Sequence, residues 1–327
     1  MENITLWNGK TAPRIGIGTW VMGGEQYWNG KSTGWAGVDD NQSIATLHQA
    51  FDMGVRIIDT ADQYGGGHAE KIIAKAIKSS NVSREEFIIC TKVGMTCDPD
   101  TGDITGVTDK KDDIIKAIDA SLKRLGVDQL DLVKFHLNNH PLDQSQGVFE
   151  AFSDCFESGK IAGYGWSNDN VEDATSFDDH KEYVAVQHSM CIFKQADEMT
   201  KALVKSDLWA FNRQPLAMGL LTGKYNPNSQ AHGKDDIRGS SAEWMIFFDP
   251  DGAPSKHYME KVEQIRALLT SDGRSLAQGA LGWCLARSDK TIPLPGCRTK
   301  AQAIDNFGVL EVGPLSDEVM SEIAKII

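Results

Sequence analysis

Four titratable side chains stand at or just beyond the ends of three apolar segments in this 327-residue chain. Asp59, Lys92 and His136 each end a segment that indicates a β-strand. Tyr64 follows the first of them in the next loop. A carboxylate can hold an ammonium group in place, and an ammonium group beside a phenol favours the phenolate and lowers the phenol's pKa. Such a phenol suits protonation of a carbonyl oxygen as hydride reaches the carbon, so the four residues predict acid-assisted carbonyl reduction, with the histidine orienting the oxygen.

Each of these side chains also has an ordinary structural explanation. Asp59 could cap the following turn, and Tyr64 could pack within its own loop. Lys92 could be solvated, and His136 could be a hydrogen-bonded core residue. The catalytic interpretation is favoured because the four lie on three successive strand ends and on the loop between two of them.

The elements that must position these residues alternate along the chain. Apolar segments predict strands at 15–20, 56–59, 87–92, 130–136, 162–167, 183–187, 208–211 and 291–294. Helical spacing predicts helices at 42–53, 68–79, 113–125, 146–158, 256–269 and 275–287, a short helix between the fifth and sixth strands, and one after the last strand. Continuous apolar strands that alternate with helices indicate a parallel sheet, and eight such units predict a (β/α)8 TIM barrel. The strand ends at one face of such a barrel carry the chemistry.

A β-hairpin and long loops complete the predicted domain. Asn8-Gly9 lies between two short apolar segments near the N-terminus, which is a strong hairpin signal. Residues 21–39 and the segment after the seventh strand predict long loops at the C-terminal face of the barrel. A doubly wound sheet is the competing fold, but its phosphate-binding fingerprint fails because Val21 stands where the third glycine is required. No repeat or linker is visible, so residues 1–327 are predicted to form one domain.

Composition limits the classes of partner. The net charge of -13 makes the chain a poor general binder of nucleic acid or of an anionic membrane, since both require a positive surface. The six cysteines are scattered, which predicts neither a disulfide scaffold nor a metal site. Neither a secretory signal nor a run of about 18 apolar residues is visible, so the predicted location is cytoplasmic.

Two loops are predicted to bind the phosphates of a cofactor. Barrels often bind phosphate between the loops after the seventh and eighth strands. In the first loop, glycines from Gly219 onward allow close backbone approach and Lys224 adds positive charge. In the second, Arg298 and Thr299 precede a helix whose N-terminus favours anions. Because arginine suits a phosphate monoester by bidentate bonding, this pattern favours NADP over NAD.

Several motifs resemble those of the aldo-keto reductase superfamily, in particular its bacterial NADPH-dependent members. The resemblance covers nearly the whole chain, in the right order. The matching segments are 54–65, 91–93, His136 at the end of the strand that begins at Asp131, Gly165–Asn168, Pro215–Tyr225, and Gly296–Gln302 with Asn306.

The resemblance implies NADP(H)-dependent reduction of aldehydes and ketones, with Tyr64 as general acid and Asp59, Lys92 and His136 completing a tetrad. It also implies that Ser167, Asn168 and Gln187 hold the nicotinamide amide. The full predicted cofactor-binding set is Gly18, Thr19, Trp20, Ser167, Asn168, Gln187, Arg213, Pro215, Leu216, Gly219, Leu221, Gly223, Lys224, Gly296, Arg298, Thr299, Gln302 and Asn306. The predicted substrate-binding set is Trp20, Trp28, Tyr64 and His136. The expected substrate is a small carbonyl compound, or an alcohol if the reaction runs in reverse.

One of two departures from the family pattern lies in the predicted cofactor site; the other is the segment after His136, where relatives often carry an acidic residue. Many relatives place an aromatic residue two before the Pro-Leu pair, to stack on the nicotinamide, whereas this chain has Arg213 there. A guanidinium group is planar and could stack in the same way, or it could bind a substrate carboxylate. The sequence leaves both interpretations open.

Two other functions compete with carbonyl reduction. The superfamily also contains cofactor-binding β subunits of ion channels, and a complete tetrad does not exclude that role. A barrel lyase or aldolase could use Lys92 as a Schiff-base nucleophile. In this superfamily a glutamate at the place of His136 accompanies reduction of carbon–carbon double bonds, so the histidine favours carbonyl chemistry.

Overall fold

The computed structural model describes residues 1–138, 140–226 and 228–327. The strands are β1 (Asn3–Thr5), β2 (Thr11–Pro13), β3 (Gly16–Gly18), β4 (Tyr27–Trp28), β5 (Lys31–Ser32), β6 (Ile57–Asp59), β7 (Ile88–Val93), β8 (Met95–Cys97), β9 (Ile104–Val107), β10 (Leu132–Phe135), β11 (Tyr164–Ser167), β12 (Tyr183–Ser189), β13 (Trp209–Arg213) and β14 (Thr291–Pro293). The α-helices are α1 (Asp40–Asp52), α2 (His68–Lys78), α3 (Lys111–Leu125), α4 (Leu142–Glu157), α5 (Val171–Thr175), α6 (Asp197–Lys205), α7 (Lys256–Leu269), α8 (Leu276–Leu285), α9 (Lys300–Phe307), α10 (Val309–Val312) and α11 (Asp317–Ala324).

Eight parallel strands form the central sheet, in the order β14-β13-β12-β11-β10-β7-β6-β3. Its two edges meet: Gly18 bridges to Gly296 in parallel, and the amide of Gly18 donates to the carbonyl of Pro295 at 3.0 Å. The sheet is therefore a nearly closed barrel surrounded by helices, which confirms the predicted (β/α)8 TIM barrel.

The barrel strands alternate between an outer and an inner face. In β10, Val133 and Phe135 pack in the core between the sheet and the helices, whereas Leu132 belongs to a second apolar cluster inside the barrel. Lys134, on the same face as Leu132, is fully buried. Apolar side chains thus fill the lower half of the barrel, and polar side chains occupy the layers toward the C-terminal face.

The N-terminal hairpin closes the opposite end. β1 and β2 pair antiparallel with Thr5 facing Thr11, and residues 6–10 connect them. Of the two predicted turn residues only Gly9 has a positive φ, at 78°. Leu6 joins the inner apolar cluster, and the ring of Trp7 lies 6.2 Å from that of Phe211. The predicted hairpin is present, and it plugs the base of the barrel.

A small sheet and one helix of the structure were not predicted from the sequence. The loops after β3 and β7 contribute a small four-stranded sheet in the order β5-β4-β9-β8, where a plain loop was expected for residues 21–39. Two-residue strands such as β4 and β5 are too short to leave a periodic signal. Helix α6 buries Met199, Thr200 and Leu203 against the barrel.

Within the described ranges, none of the helices is both long and apolar enough to cross a bilayer.

Candidate active site

Asp59, at the end of β6, is a buried carboxylate shared by two buried lysines. Lys92 of β7 approaches its Oδ2 at 2.8 Å, and Lys134 of β10 approaches its Oδ1 at 2.6 Å. The side-chain amide of Gln187 also donates to Oδ2 at 3.2 Å. Burial acts to raise the pKa of Asp59, but the charges of Lys134 and Lys92 outweigh it and lower the pKa overall. The carboxylate therefore remains ionised at the centre of the barrel.

Tyr64 receives one hydrogen bond and keeps its own proton free. The ammonium group of Lys92 donates to the hydroxyl oxygen of Tyr64 at 3.2 Å and to the carbonyl of Thr60 at 2.6 Å. Within the described residues the hydroxyl of Tyr64 has no other hydrogen-bond partner. Because its oxygen already accepts, its hydrogen is available to donate to a ligand above the strand ends.

The loop that carries Tyr64 is fixed on both sides. On one side, the amide of Thr19 donates to the carbonyl of Asp59 at 2.9 Å. On the other, Gly65 has a φ of +59°, and a Cβ there would overlap the carbonyl oxygen of Gly23. Only glycine fits this close approach, since other L residues rarely adopt a positive φ.

A buried glutamate anchors the helix that follows this loop. Glu70, in the first turn of α2, accepts from the hydroxyl of Thr91 at 2.6 Å and from the guanidinium group of Arg124 at 2.6 Å. These bonds tie α2 to β7 and α3, and so they hold the Tyr64 loop against the strand that carries Lys92.

The burial of Tyr64 overturns one expectation from the sequence. A lowered phenol pKa was predicted from the nearby ammonium group, but the pKa of Tyr64 lies well above its ordinary value. Burial is the largest cause, the negative charge of Asp59 adds to it, and the positive charge of Arg213 opposes it. Desolvation outweighs the charge of Arg213 because it penalises the charged phenolate directly. The phenol is therefore fully protonated near neutral pH, as a proton donor must be.

His136 lies beside Tyr64 as a neutral imidazole. The two rings are 5.8 Å apart and nearly perpendicular. Burial, and then the charge of Lys92, holds the pKa of His136 well below its ordinary value. Its Nδ1 is buried and has no hydrogen-bond partner among the described residues. The structure thus brings together all four residues that the sequence singled out for catalysis.

The ends of β11 and β12 present polar groups suited to a carboxamide. Asn168 Nδ2, a donor, and Gln187 Oε1, an acceptor, are both buried and lack partners among the described residues. The other end of each side chain is already held, since Asn168 Oδ1 accepts from the amide of Asn170 at 2.8 Å, and Gln187 Nε2 bonds Asp59. A nicotinamide carboxamide offers one acceptor and two donors, so these groups fit it. Ser167 is buried beside them.

Three cations from the loops after β13 and β14 lie near one another. The charges of Arg238 and Arg298 both act on Lys224, and the carboxylate of Asp236 opposes them. Asp236 is paired in two-point fashion with Arg238, at 2.8 and 2.7 Å. The cluster therefore carries excess positive charge on an acidic protein, as a phosphate site requires. Arg238 was missed by sequence analysis; its position in the long segment after the seventh strand was the available signal.

Lys224 folds back over the glycine-rich loop. A Cβ added at Gly219 would lie 3.0 Å from its ammonium nitrogen, which lies 4.9 Å from the ring centre of Tyr225. Desolvation at this position, and then the charge of Arg238, lowers the pKa of Lys224 to about 8. Because much of the side chain is exposed, solvent moderates this shift.

The remaining predicted residues of the two loops mostly have structural contacts. Arg298 donates to the carbonyls of Ala36 and Gly37, at 2.7 and 2.5 Å, so its side chain joins the last loop of the barrel to the first. Thr299 caps α9 by accepting from the amide of Gln302 at 3.2 Å. The buried Pro215, Leu216 and Leu221 and the left-handed Gly223 shape the backbone after β13.

Asn306, a predicted cofactor-binding residue, is engaged at the Nδ2 end of its side chain. Asn306 is buried and donates to the sulfur of Cys297 at 3.2 Å. Gly296 and Gly18 close the barrel seam, and the hydroxyl of Thr19 donates to the carbonyl of Asp59 at 3.0 Å. These contacts hold the four positions in the frame around the site, and their predicted role in cofactor binding stays a prediction.

Arg213, at the end of β13, is engaged by the protein. Its Nη2 lies 2.9 Å from Asp169 Oδ1 and 3.3 Å from Asn138 Oδ1. Asp169 is also paired with Lys194 at 3.1 Å. The guanidinium group thus spans the rim from β13 to the loop after β10, and it is not positioned as a free side chain.

Aromatic rings form one wall above Tyr64. The ring of Trp20 stacks on that of Tyr64 at 6.2 Å and lies 6.1 Å from that of Trp244, which is 47% exposed. Trp28 belongs instead to β4, where it pairs with Ile104 and is partly exposed. Of the two predicted substrate-binding tryptophans, the structure brings only Trp20 into ring contact with Tyr64.

A family model, similar proteins and solved structures all match this chain to the same family. The model of the aldo/keto reductase family matches residues 14–327. YhdN, an aldo-keto reductase of Bacillus subtilis (strain 168), is 31% identical over 297 residues, covering 90% of this chain and 84% of that protein. The solved structure of the glycerol dehydrogenase AKR11B4 from Gluconobacter oxydans has a TM-score of 0.80 at 26% identity, covering 97% of this chain and 92% of that one.

Three further relatives carry names that differ in cofactor or role. The aldo-keto reductase yakc [NADP(+)] of Schizosaccharomyces pombe is 30% identical over 96% of this chain and 88% of its own length. The NADH-specific methylglyoxal reductase of Escherichia coli is 26% identical over 94% and 92%. A putative voltage-gated potassium channel subunit beta of Schizosaccharomyces pombe is 26% identical over 98% and 91%. The names of these relatives thus indicate no single cofactor.

Proposed function

Because the chain belongs to the aldo/keto reductase family and is thus an NAD(P)H-dependent oxidoreductase, we propose that it reduces aldehydes or ketones with NADPH and uses Tyr64 as general acid. The family resemblance predicted from the sequence is confirmed. The observation that carries the catalytic proposal is the contact between Lys92 and Tyr64, with the phenol hydrogen left free to donate.

The roles of the four residues follow from their contacts. Tyr64 donates its proton to the carbonyl oxygen, and the ammonium group of Lys92 stabilises the phenolate that remains. His136, being neutral, donates one hydrogen bond to the same oxygen and adds no charge that would compete for the proton. Asp59 holds Lys92 in place. Bound NADPH would supply hydride to the carbonyl carbon.

We assign the nicotinamide amide to the strand ends that carry Ser167, Asn168 and Gln187. The unpaired donor and acceptor there match a carboxamide. In the same proposal Arg213 lies at the edge of the nicotinamide, with Asp169 fixing its guanidinium group. The aromatic wall of Trp20 and Trp244 lies on the substrate side.

NADPH is preferred over NADH in this proposal because of the cation cluster. The cluster has three cations, Lys224, Arg238 and Arg298, and one carboxylate, Asp236, so its net charge is two positive units. NADH lacks the extra phosphate of NADPH and needs fewer positive charges for its binding. The relative named for NADP(+) is consistent with this choice, and the NADH-specific relative makes it worth measuring.

A panel of aldehydes and ketones, followed by the absorbance of NADPH beside NADH, tests the proposal. We expect oxidation of NADPH that depends on the carbonyl compound, with a higher kcat/KM than for NADH. Absence of turnover with both cofactors across aliphatic, aromatic and sugar carbonyls would contradict it. Faster turnover with NADH would overturn the cofactor assignment alone.

We also propose a cellular location, a class of substrate and a domain organisation. We place the protein in the cytoplasm, acting on a small carbonyl compound, or an alcohol in the reverse direction, as a single domain over residues 1–327. The acidic net charge argues against nucleic acid or an anionic membrane as a partner.

A regulatory subunit that binds the cofactor is a second candidate, favoured by the relative named as a potassium channel subunit beta. It predicts a stoichiometric membrane protein partner in a pull-down, together with negligible turnover on the carbonyl panel. Recovery of the protein alone, with robust turnover, would reject it. A Schiff-base role for Lys92 gains no support, because its ammonium group is held by Asp59, Thr60 and Tyr64 and is buried.

A further inference from the structure

Lys134 is a buried lysine that the family-based assignment of the site leaves without a role. Its ammonium nitrogen lies 2.6 Å from Asp59 Oδ1 and 4.6 Å from the ring centre of Phe211. The side chain is 0% exposed. Apart from Asp59, Lys134 has no hydrogen-bonding side chain among the described residues. Burial lowers the pKa of Lys134 below its ordinary value, and the negative charge of Asp59 opposes that shift and favours the charged form.

Each of the two lysines pairs with a different oxygen of the Asp59 carboxylate. Lys92 approaches Oδ2, on the side of Tyr64, and Lys134 approaches Oδ1, on the opposite oxygen. A pair of Asp59 and Lys92 alone would be neutral, and the field of Lys92 at the phenol would be largely cancelled by the carboxylate. With Lys134 the three groups carry a net charge of about one positive unit.

We propose that Lys134 is a positioning residue of the catalytic centre, which acts through Asp59 to leave a net positive charge beneath the hydroxyl of Tyr64. When Tyr64 gives up its proton, this charge stabilises the phenolate oxygen that forms. The interior of a barrel excludes water, so a single charge at this depth has a larger effect than it would at the surface. The inference rests on the proposed role of Tyr64.

The other titratable groups that face Asp59, Lys92 and Lys134 do not supply the positive charge that Lys134 adds. Burial raises the pKa of the Cys90 thiol, so it stays neutral, and burial keeps His136 neutral as well. The pKa of Asp62 is raised, chiefly by burial and then by Glu70, and this carboxyl, like Asp59, acts to raise the pKa of Tyr64 and supplies no positive charge. Arg213 is positive, but its guanidinium group is paired with Asp169. Lys134 is thus the group that offsets the charge of Asp59.

The test compares Lys134→Met, Lys134→Gln and Lys134→Arg with the wild-type enzyme. Methionine is nearly isosteric but has no charge, glutamine can still donate to Asp59 without a charge, and arginine keeps the charge. We expect kcat for carbonyl reduction to fall by about tenfold or more in the Met and Gln variants, with partial recovery in the Arg variant. The dissociation constant for NADPH should change by no more than about twofold.

The pH dependence of alcohol oxidation with NADP+ is a second measurement. It should not change if Lys134 has only a structural role. The pH dependence of the oxidation rate in the Met and Gln variants should shift to higher pH than in the wild type, because a positive charge near the hydroxyl of Tyr64 has been removed. Leu132→Met, on the same strand and inner face, is the matched control and should keep the wild-type profile. If Lys134→Met does not fold, Lys134→Gln provides the same comparison, judged by NADPH binding.

Three outcomes separate the possibilities. Wild-type kcat and pH profile in the Gln variant would overturn the role of Lys134 while leaving the proposed function intact. A variant that loses NADPH binding and kcat together would show a structural role and also overturn it. No turnover by the wild-type enzyme would instead contradict the proposed function.

Discussion

The ammonium nitrogen of Lys92 lies 3.2 Å from the hydroxyl oxygen of Tyr64, so the end of β7 is joined directly to the loop after β6. The same nitrogen donates to the carbonyl of Thr60 and to Asp59, which leaves it little freedom to move. The phenol oxygen thereby accepts from Lys92, and its hydrogen is free to donate to another group. This geometry supports the proposed role of Tyr64 as the proton donor.

Replacement of Lys92 by methionine should reduce both activity and stability. The variant loses the hydrogen bond to Tyr64 and leaves a buried carbonyl at Thr60 without its donor. We expect kcat to fall by about a hundredfold or more and the free energy of unfolding to fall by about 1–3 kcal/mol. Carbonyl-dependent NADPH oxidation and urea unfolding measure the two effects.

Lys116→Met is the matched control for that variant. Lys116 is solvated on α3, and among the residues that the structure describes it pairs only with Asp113, three residues away. Neither its turnover nor its unfolding midpoint should change measurably, since exposed ion pairs contribute little. Equal losses in both variants would mean that the effect at Lys92 is not specific to the site.

The sequence predicted the barrel because its signals were local and repeated. Each barrel strand is an apolar run followed by polar residues, and the strand ends of a barrel must meet at one face. The strand order alone therefore places Asp59, Lys92 and His136 together. Tyr64 could be placed beside them because the loop that joins it to the strand of Asp59 is short.

What sequence analysis missed depends on contacts across the barrel. Lys134 lies within an apolar strand, and only the closed barrel shows that its side chain meets Asp59. The pKa of Tyr64 was predicted with the wrong sign because burial cannot be judged from neighbouring charges. Arg238 joins the cation cluster through a long segment that has little regular structure.

Asn168→Asp should weaken binding of NADPH by about tenfold or more. The substitution is isosteric and keeps the Oδ1 that accepts from Asn170, but it replaces the unpaired Nδ2 donor with an oxygen that would face the oxygen of the amide. Fluorescence titration of NADPH measures the change.

Asn170→Asp controls for the added charge, because it lies two residues away. Aspartate caps α5 as well as asparagine does, so the helix should not be affected. Wild-type affinity is expected for this control. An Asn168→Asp variant that binds NADPH as tightly as the wild type would mean that this donor does not hold the nicotinamide amide.

Binding of NADPH should weaken as pH rises above about 8, the lowered pKa of Lys224 in the free protein. Only the ammonium form attracts phosphate, so affinity is full below this pKa and declines as the lysine loses its proton. Titrations between about pH 7 and 9.5 should show the decline. Lys224→Arg should remove it, because arginine stays charged, and Lys224→Met should bind weakly at every pH. A wild-type affinity that stays constant over this range would place Lys224 outside the phosphate site.

The central claim is that Tyr64 supplies the proton for carbonyl reduction, and Tyr64→Phe tests it most directly. Phenylalanine keeps the ring that stacks on Trp20 and removes only the hydroxyl group. Tyr258→Phe on α7 serves as the control, since that residue packs against Phe193 and Phe247. Carbonyl-dependent oxidation of NADPH should fall by about a hundredfold or more in Tyr64→Phe while NADPH still binds, and Tyr258→Phe should retain its activity. Full turnover by Tyr64→Phe would contradict the account.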